Sequence, residues 1–210
     1  MEVRLDFVDS LSVLRSLIGA VVERWQEPSA LEGMTVGALA SHACRAAFTT
    51  ERYLAAPAPA GGDTVDAAGY FLAIPDLTGP IDSDVHRSVR ARADDEAAAG
   101  PEDLLARFDR SVEVLMVSLP SEKPERVLEV FGGIAMRLDD YLITRLVEVV
   151  VHSDDLAASL DLAEPAFSDS VNDRVIRCLV EVAVRSHGRL AVIRALTRRE
   201  RDAVAALRVL

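Results

Sequence analysis

The chain has 210 residues, half of them hydrophobic, and carries a formal net charge of −11. Such a length and apolar content suffice for a core without covalent staples. The acidic balance excludes a nucleic-acid partner, which needs a basic face, and opposes docking on anionic lipid. Cys44 and Cys178, the two cysteines, stand far apart with no C-x-x-C spacing, which fits a reducing compartment. The opening MEVRLDFVDS lacks the apolar stretch of a signal peptide, and no run reaches the roughly 18 apolar residues of a membrane span. The expectation is a soluble cytoplasmic protein.

In chain order, Phe7, Val8, Leu11, Leu14, Ile18, Val21, Val22 and Trp25 repeat at helical spacing, and Glu27-Pro28 ends that pattern, so a helix is expected over 3–26. Thr35 stands at an N-cap position ahead of a second helix to about Leu54; Ala38 stands where a capping box would need Glu. Residues 55–80 are rich in Ala, Pro, Gly and Asp and read as a long loop with a helical turn near Ala67–Ile74. A highly charged helix is expected over 83–98. Another follows Gly100-Pro101, with Leu104, Leu105, Phe108, Val112, Leu115 and Leu119 on one stripe and Pro120 as its stop. Two β-prone runs flank Gly132-Gly133, the signal of a two-residue hairpin turn. Further helices are expected over 139–160, over 168–186 with His187-Gly188 as its end, and over 198–208, opened by the capping box Thr197-Arg198-Arg199-Glu200.

The helix at 139–160 carries the chemistry. At 100° per residue, Tyr141, Arg145, Glu148, His152 and Asp155 fall within one sector about 80° wide. The remainder is largely apolar (Leu142, Ile143, Leu146, Val147, Val149, Val150), as in a buried helix. Ionisable groups on a buried helix must be paired or bind something. Glu148 and His152, four residues apart, point the same way and can share one metal ion. A third ligand must then come from elsewhere. Of the four histidines, His42 sits mid-helix among Leu39, Ala43 and Ala46 and looks inward; His86 lies in a charged segment read as exposed, and His187 at a helix C-terminus. On the residues alone, a Glu/His pair at this spacing is more often a salt bridge, and a lone inward histidine more often a satisfied core residue. The cysteines read as small core residues, with Cys44 on the helix face opposite His42.

The segments GMTVGALASH (33–42) and TRLVEVVVHSDDLAASL (144–160) resemble the two signature stretches of the mycothiol-dependent maleylpyruvate isomerase family, within the DinB-like superfamily, and RSHGRLAVIRALTRRER (185–201) is similar to the end of its short members. The resemblance implies an all-α fold: a DinB-like up-and-down four-helix bundle, here with a small β-hairpin and a short helical C-terminal extension. It places the bundle domain at 1–165 and the extension at 166–210. It implies a divalent metal, zinc by preference, held by His42, Glu148 and His152, with an open position, and Arg145 and Asp155 as supports of those ligands. It further implies an enzyme that uses mycothiol as thiol cosubstrate and adds the thiolate to an electrophilic substrate. For maleylpyruvate, addition, rotation about the new single bond and elimination would give the trans isomer. The family's full-length members carry a larger C-terminal domain for which the 45 or so residues after the bundle are too few. That leaves an S-transferase or detoxification enzyme, or a non-catalytic metal-binding interaction or regulatory protein, as alternatives. A homodimer is compatible with the sequence.

Overall fold

The computed structural model describes residues 2–74, 83–200 and 207–209. Eight helices and one two-stranded sheet occur among them: α1 (Glu2–Ala20), α2 (Val36–Ala55), α3 (Ala67–Ala73), α4 (Asp84–Ala97), α5 (Pro101–Ser121), β1 (Val127–Val130), β2 (Ile134–Arg137), α6 (Leu138–Ser159), α7 (Asp169–His187) and α8 (Arg189–Thr197). Helices α1, α5, α2 and α6 form a ring around the core, with α1 and α2 across its diagonal. Arg4 meets Asp139 and Arg24 meets Asp161, so α1 and α6 run parallel. The Arg15–Asp109 pair makes α5 antiparallel to α1, and His42–Glu148 with Thr49–Tyr141 makes α2 antiparallel to α6. The helices of the bundle therefore run up, down, down, up. Phe7, Leu11, Leu14, Leu39, Phe108, Leu115 and Leu142 fill the centre without exposure. Outside the ring, α4 lies on α2, α7 lies on α6, α3 and α1, and α8 lies on α7. No helix among the described residues is long and apolar enough to cross a membrane.

Local chemistry sets the boundaries. Thr35 caps α2 by accepting from the Ala38 N–H at 3.1 Å, and Asp66, Ser83 and Ser168 do the same for α3, α4 and α7. The first helix stops at Ala20, short of residue 26, and a 3₁₀ turn covers Val22–Arg24. The tighter turn lays the Trp25 indole on Gly37 of α2, whose N–H donates to the Trp25 carbonyl at 2.9 Å. Pro120 does not end α5 before itself; the helix runs on to Ser121. So near a C-terminus the proline removes only one helical hydrogen bond. The buried Arg4 guanidinium covers the exposed carbonyls there, donating to Leu119, Glu122 and Lys123 oxygens at 3.1, 2.6 and 3.1 Å.

The hairpin forms, but with three connecting residues instead of two. Val130 pairs with Ile134, leaving Phe131, Gly132 and Gly133 in the turn, both glycines at positive φ (74° and 77°). The hairpin docks through the Val65 N–H to the Ala135 carbonyl at 3.0 Å. The last helix is also corrected. Gly188 (φ 84°) ends α7, and α8 begins at once at Arg189 and closes at Thr197. Thr197 is thus the final helical residue, its hydroxyl donating to the Ile193 carbonyl, and no capping box opens there. The remainder of the helix expected to 208 lies largely outside the described residues.

Candidate metal centre

The N-cap at Thr35 fixes the phase of α2, so that His42 turns towards α6 while Cys44 turns away and is fully buried. Burial pushes the Cys44 thiol up, and its charged neighbours are Glu96 and Arg107 of α4 and α5. Ala43, Ala46 and Ala47 are buried beside His42. Their small side chains let α2 approach α6 closely. On α6, Leu138, Leu142, Leu146 and Val149 fill the core and orient the polar stripe to the α2 side.

Donor atoms of His42, Glu148 and His152 all lie within 4.8 Å of one another. His152 Nε2 is 3.3 Å and His42 Nε2 3.8 Å from the same Glu148 oxygen, Oε2. The imidazole centroids stand 4.7 Å apart at 74°. Ligand atoms about 2.1 Å from a tetrahedral ion sit about 3.4 Å from one another, so the side chains are already spaced for one cation. Their side chains retain 19%, 27% and 15% exposure, in the order His42, Glu148, His152, and the centre therefore reaches solvent.

Electrostatics fit a cation as well. Burial, then the adjacent His152, pushes His42 down to about 3, which keeps it neutral. Burial opposes charge on His152 too, but hydrogen bonds to Asp155 and Glu148 outweigh it and lift that imidazole to about 9. Burial likewise works against the Glu148 carboxylate, yet His152 and Arg145 hold it well below the usual carboxylate range. Without an ion the cluster thus keeps one proton on His152, against an ionised Glu148. A divalent cation takes the place of that proton. His152 Nδ1 meets Asp155 Oδ2 at 3.0 Å. This contact sets the ring so that Nε2 faces Glu148. The corresponding nitrogen of His42, Nδ1, is buried with no hydrogen-bond partner.

The structure brings together the three expected ligands and both expected supports. Arg145 Nη2 is 3.9 Å from Glu148 Oε1. His187 is exposed, as expected. His86 is not exposed: α4 packs on α2, and the His86 Nε2 is buried without a partner. Sequence reasoning missed Tyr53 of α2 and Tyr70 of α3. Tyr70 stands with Tyr141 around Arg145, whose guanidinium carbon is 5.0 Å from the Tyr141 ring and 5.6 Å from the Tyr70 ring; Tyr53 meets Tyr141 edge-on. Thr49 was missed also, though it lies two turns beyond His42 on the same face; its hydroxyl is 2.8 Å from the Tyr141 phenol. Tyr70 gave no comparable signal, because it comes from a short helix inside a Gly- and Pro-rich stretch. A cavity of ≈ 280 Å³ between α2, α4 and α5 is lined by Arg45, Phe48, Thr49 and Arg107 among others, and none of the three ligands lines it.

A helical bundle that presents two histidines and a glutamate from two facing helices defines a class of carboxylate–histidine metal-binding bundles. Within it, the chain belongs to the mycothiol maleylpyruvate isomerase N-terminal domain family, whose model matches residues 9–157 and so spans all three candidate ligands. The fold is similar to the crystal structure of mycothiol-dependent maleylpyruvate isomerase (18% identity, TM-score 0.57) and to that of a histidine-to-alanine mutant of that isomerase (17% identity, TM-score 0.55). Each likeness covers 87% of this chain and 68% of the other. No curated protein matches the chain.

Proposed function

We propose that the chain is a metal-dependent enzyme that uses mycothiol to attack an electrophilic carbon, as in isomerisation of an activated cis double bond. The observation that carries this reading is the convergence of three donor atoms, and no more, at a solvent-reaching point: His42, Glu148 and His152 within 4.8 Å. Three protein ligands leave a position for an exchangeable partner, the arrangement of catalytic rather than structural zinc. A bound divalent ion would supply the charge that keeps a thiol deprotonated at neutral pH.

The chain's own residues do the rest. His42, Glu148 and His152 hold the ion. Asp155 fixes the His152 ring, and Arg145 favours the ionised form of Glu148. The apolar faces of α2 and α6 limit water around the centre. For an isomerisation, the thiolate bonds to one alkene carbon, the former double bond rotates as a single bond, and expulsion of the same thiolate restores the alkene in the trans form. No net oxidation or proton change accompanies the cycle.

The test is zinc content by elemental analysis, with mycothiol-dependent turnover of a cis-alkene substrate, in the wild type and in His152→Ala. The wild type is expected to hold about one zinc per chain and to need the thiol. The variant is expected to lose both metal and activity while keeping its fold, because the apolar stripes do not depend on the site. Full zinc occupancy in the variant would show the ligand set to be wrong. Zinc without any thiol dependence in the wild type would sink the enzyme reading, and global unfolding of the variant would make the site structural.

A further inference from the structure

Arg145 is a charge without a matched counter-charge. Its side chain is 10% exposed, and among the described residues its only carboxylate within 4 Å is Glu148 at 3.9 Å, beyond hydrogen-bond length. Glu148 lies closer to His152, at 3.3 Å, and as a metal ligand it would share its charge with the ion. The Arg145 Nε donates to the Thr144 hydroxyl at 3.1 Å. The rings of Tyr141 and Tyr70 flank the guanidinium and favour a cation there. These neighbours hold the group in place but cancel none of its charge. A buried guanidinium in that state is stabilised by an incoming anion, and its planar fork matches a carboxylate two-point, which a thiolate cannot do. Arg145 also lies one turn from Glu148 on the same face of α6, so an anion on the fork lies beside the metal ligands.

We propose that Arg145 is a carboxylate-binding residue of this site, walled by Tyr70 and Tyr141, and that it selects small carboxylate-bearing electrophiles over neutral ones. That the ligand is an electrophile rests on the metal-and-thiol function; the carboxylate site itself does not.

Calorimetric titration of the purified chain, metal-free and zinc-loaded, with maleate and with its dimethyl ester tests this without any thiol present. The wild type is expected to bind maleate and not the ester. Arg145→Gln is expected to weaken maleate at least tenfold while zinc content and melting temperature stay unchanged. Arg145→Lys keeps the charge beside Glu148 but not the fork, and is expected to weaken maleate severalfold; it decides the matter should the Gln variant not fold. No maleate binding by the wild type would overturn the proposal, and so would wild-type affinity in both variants, which would put the anion on the metal. Zinc loss in both variants would make Arg145 a positioning partner of Glu148 and also overturn it. Failure of the enzyme reading has a different signature: no zinc or no thiol-dependent turnover, with maleate affinity still dependent on Arg145.

Discussion

At the scale of single residues, two contacts explain why particular side chains are required away from the metal. Gly37 sits inside α2, where alanine would ordinarily favour the helix by about 1 kcal/mol. Here a Cβ would stand 2.5 Å from the Trp25 ring, and overpacking of this kind costs about 1–3 kcal/mol. Gly37→Ala is expected to be destabilising by about 1–2 kcal/mol in chemical denaturation, with the Trp25 fluorescence shifted in the native state. A second contact is the Asp66–Arg185 pair, whose two hydrogen bonds measure 2.8 and 2.6 Å. Asp66 also caps α3, the helix that carries Tyr70. Asp66→Ala removes cap and ion pair together and is expected to cost about 1 kcal/mol or more; Asp66→Asn keeps the cap and should cost less, because partly exposed pairs contribute about 0–1 kcal/mol. The Arg185 guanidinium holds the Asp66 carboxyl below its usual value. A depressed folded-state value means the contribution is complete above the unfolded pKa of about 3.9 and fades as the pH falls through the folded one. The stability gap between wild type and Asp66→Asn is therefore expected to be constant near neutrality and to close below about pH 4, as read by urea titrations across that range. Such long-range partners are invisible to periodicity: nothing in the spacing of Trp25 and Gly37, or of Asp66 and Arg185, couples them. His42, Glu148 and His152 could be gathered in advance only because a buried stripe of charge needs partners and a family resemblance named the third.

At the scale of elements, the legible features were those with a strong local cause. The stripe from Leu104 to Leu119 and the proline at Pro101 place α5, and Thr35 places the start of α2. The ends were less legible, since each is decided by a contact across the fold: Trp25 on Gly37 shortens α1, and Arg4 lets α5 pass Pro120. Turn length was misread for a related reason. Gly132-Gly133 signals a two-residue turn, but the register that buries Leu128 and Met136 pairs Val130 with Ile134 and draws Phe131 into the turn. Both turn glycines face open space for a Cβ, so any cost of substitution arises from backbone conformation. Gly133→Ala is expected to lose about 1–2 kcal/mol and Gly133→Asn less, because asparagine visits the left-handed region more readily. A clash-driven loss would instead grow with side-chain size, and comparison of Ala, Asn and Val variants by thermal melting separates the two.

At the scale of the molecule, the ring of α1, α5, α2 and α6 is braced by the helix that comes after it in the chain. Helix α7 buries Val171, Val175, Cys178, Val182 and Ala183 and packs against α6, α3 and α1. Buried side chains of this size contribute about 1.5–3 kcal/mol each, and a domain's net stability is about 5–15 kcal/mol. A chain stopped after residue 165 is expected to lose its cooperative melt or to melt far below the full chain; an unchanged melting curve would show α7 to be an appendage. The topology was harder to read than its parts. Helical stripes say which face is inward but not which helix is across the diagonal, and that α1 and α2 are the diagonal pair follows from ion pairs such as Arg4–Asp139 and Arg15–Asp109.

The metal centre also has a mechanical side. His42 is supplied by α2 and the other two ligands by α6, with α3, α4, α5 and the hairpin strung between them along the chain. An ion held by all three is therefore a removable cross-link that closes this long loop, and pulling α2 from α6 requires letting the ion go. The unfolding equilibrium then depends on free metal: raising it to a hundred times the dissociation constant adds about 2.7 kcal/mol, and chelation takes the same amount away. Amide hydrogens along α2 around His42 are expected to exchange faster after chelation, while those of the Phe7–Leu14 stretch of α1 change little. Cells poor in the metal would accordingly hold less of the folded protein, so supply of the ion would govern its abundance as well as its activity.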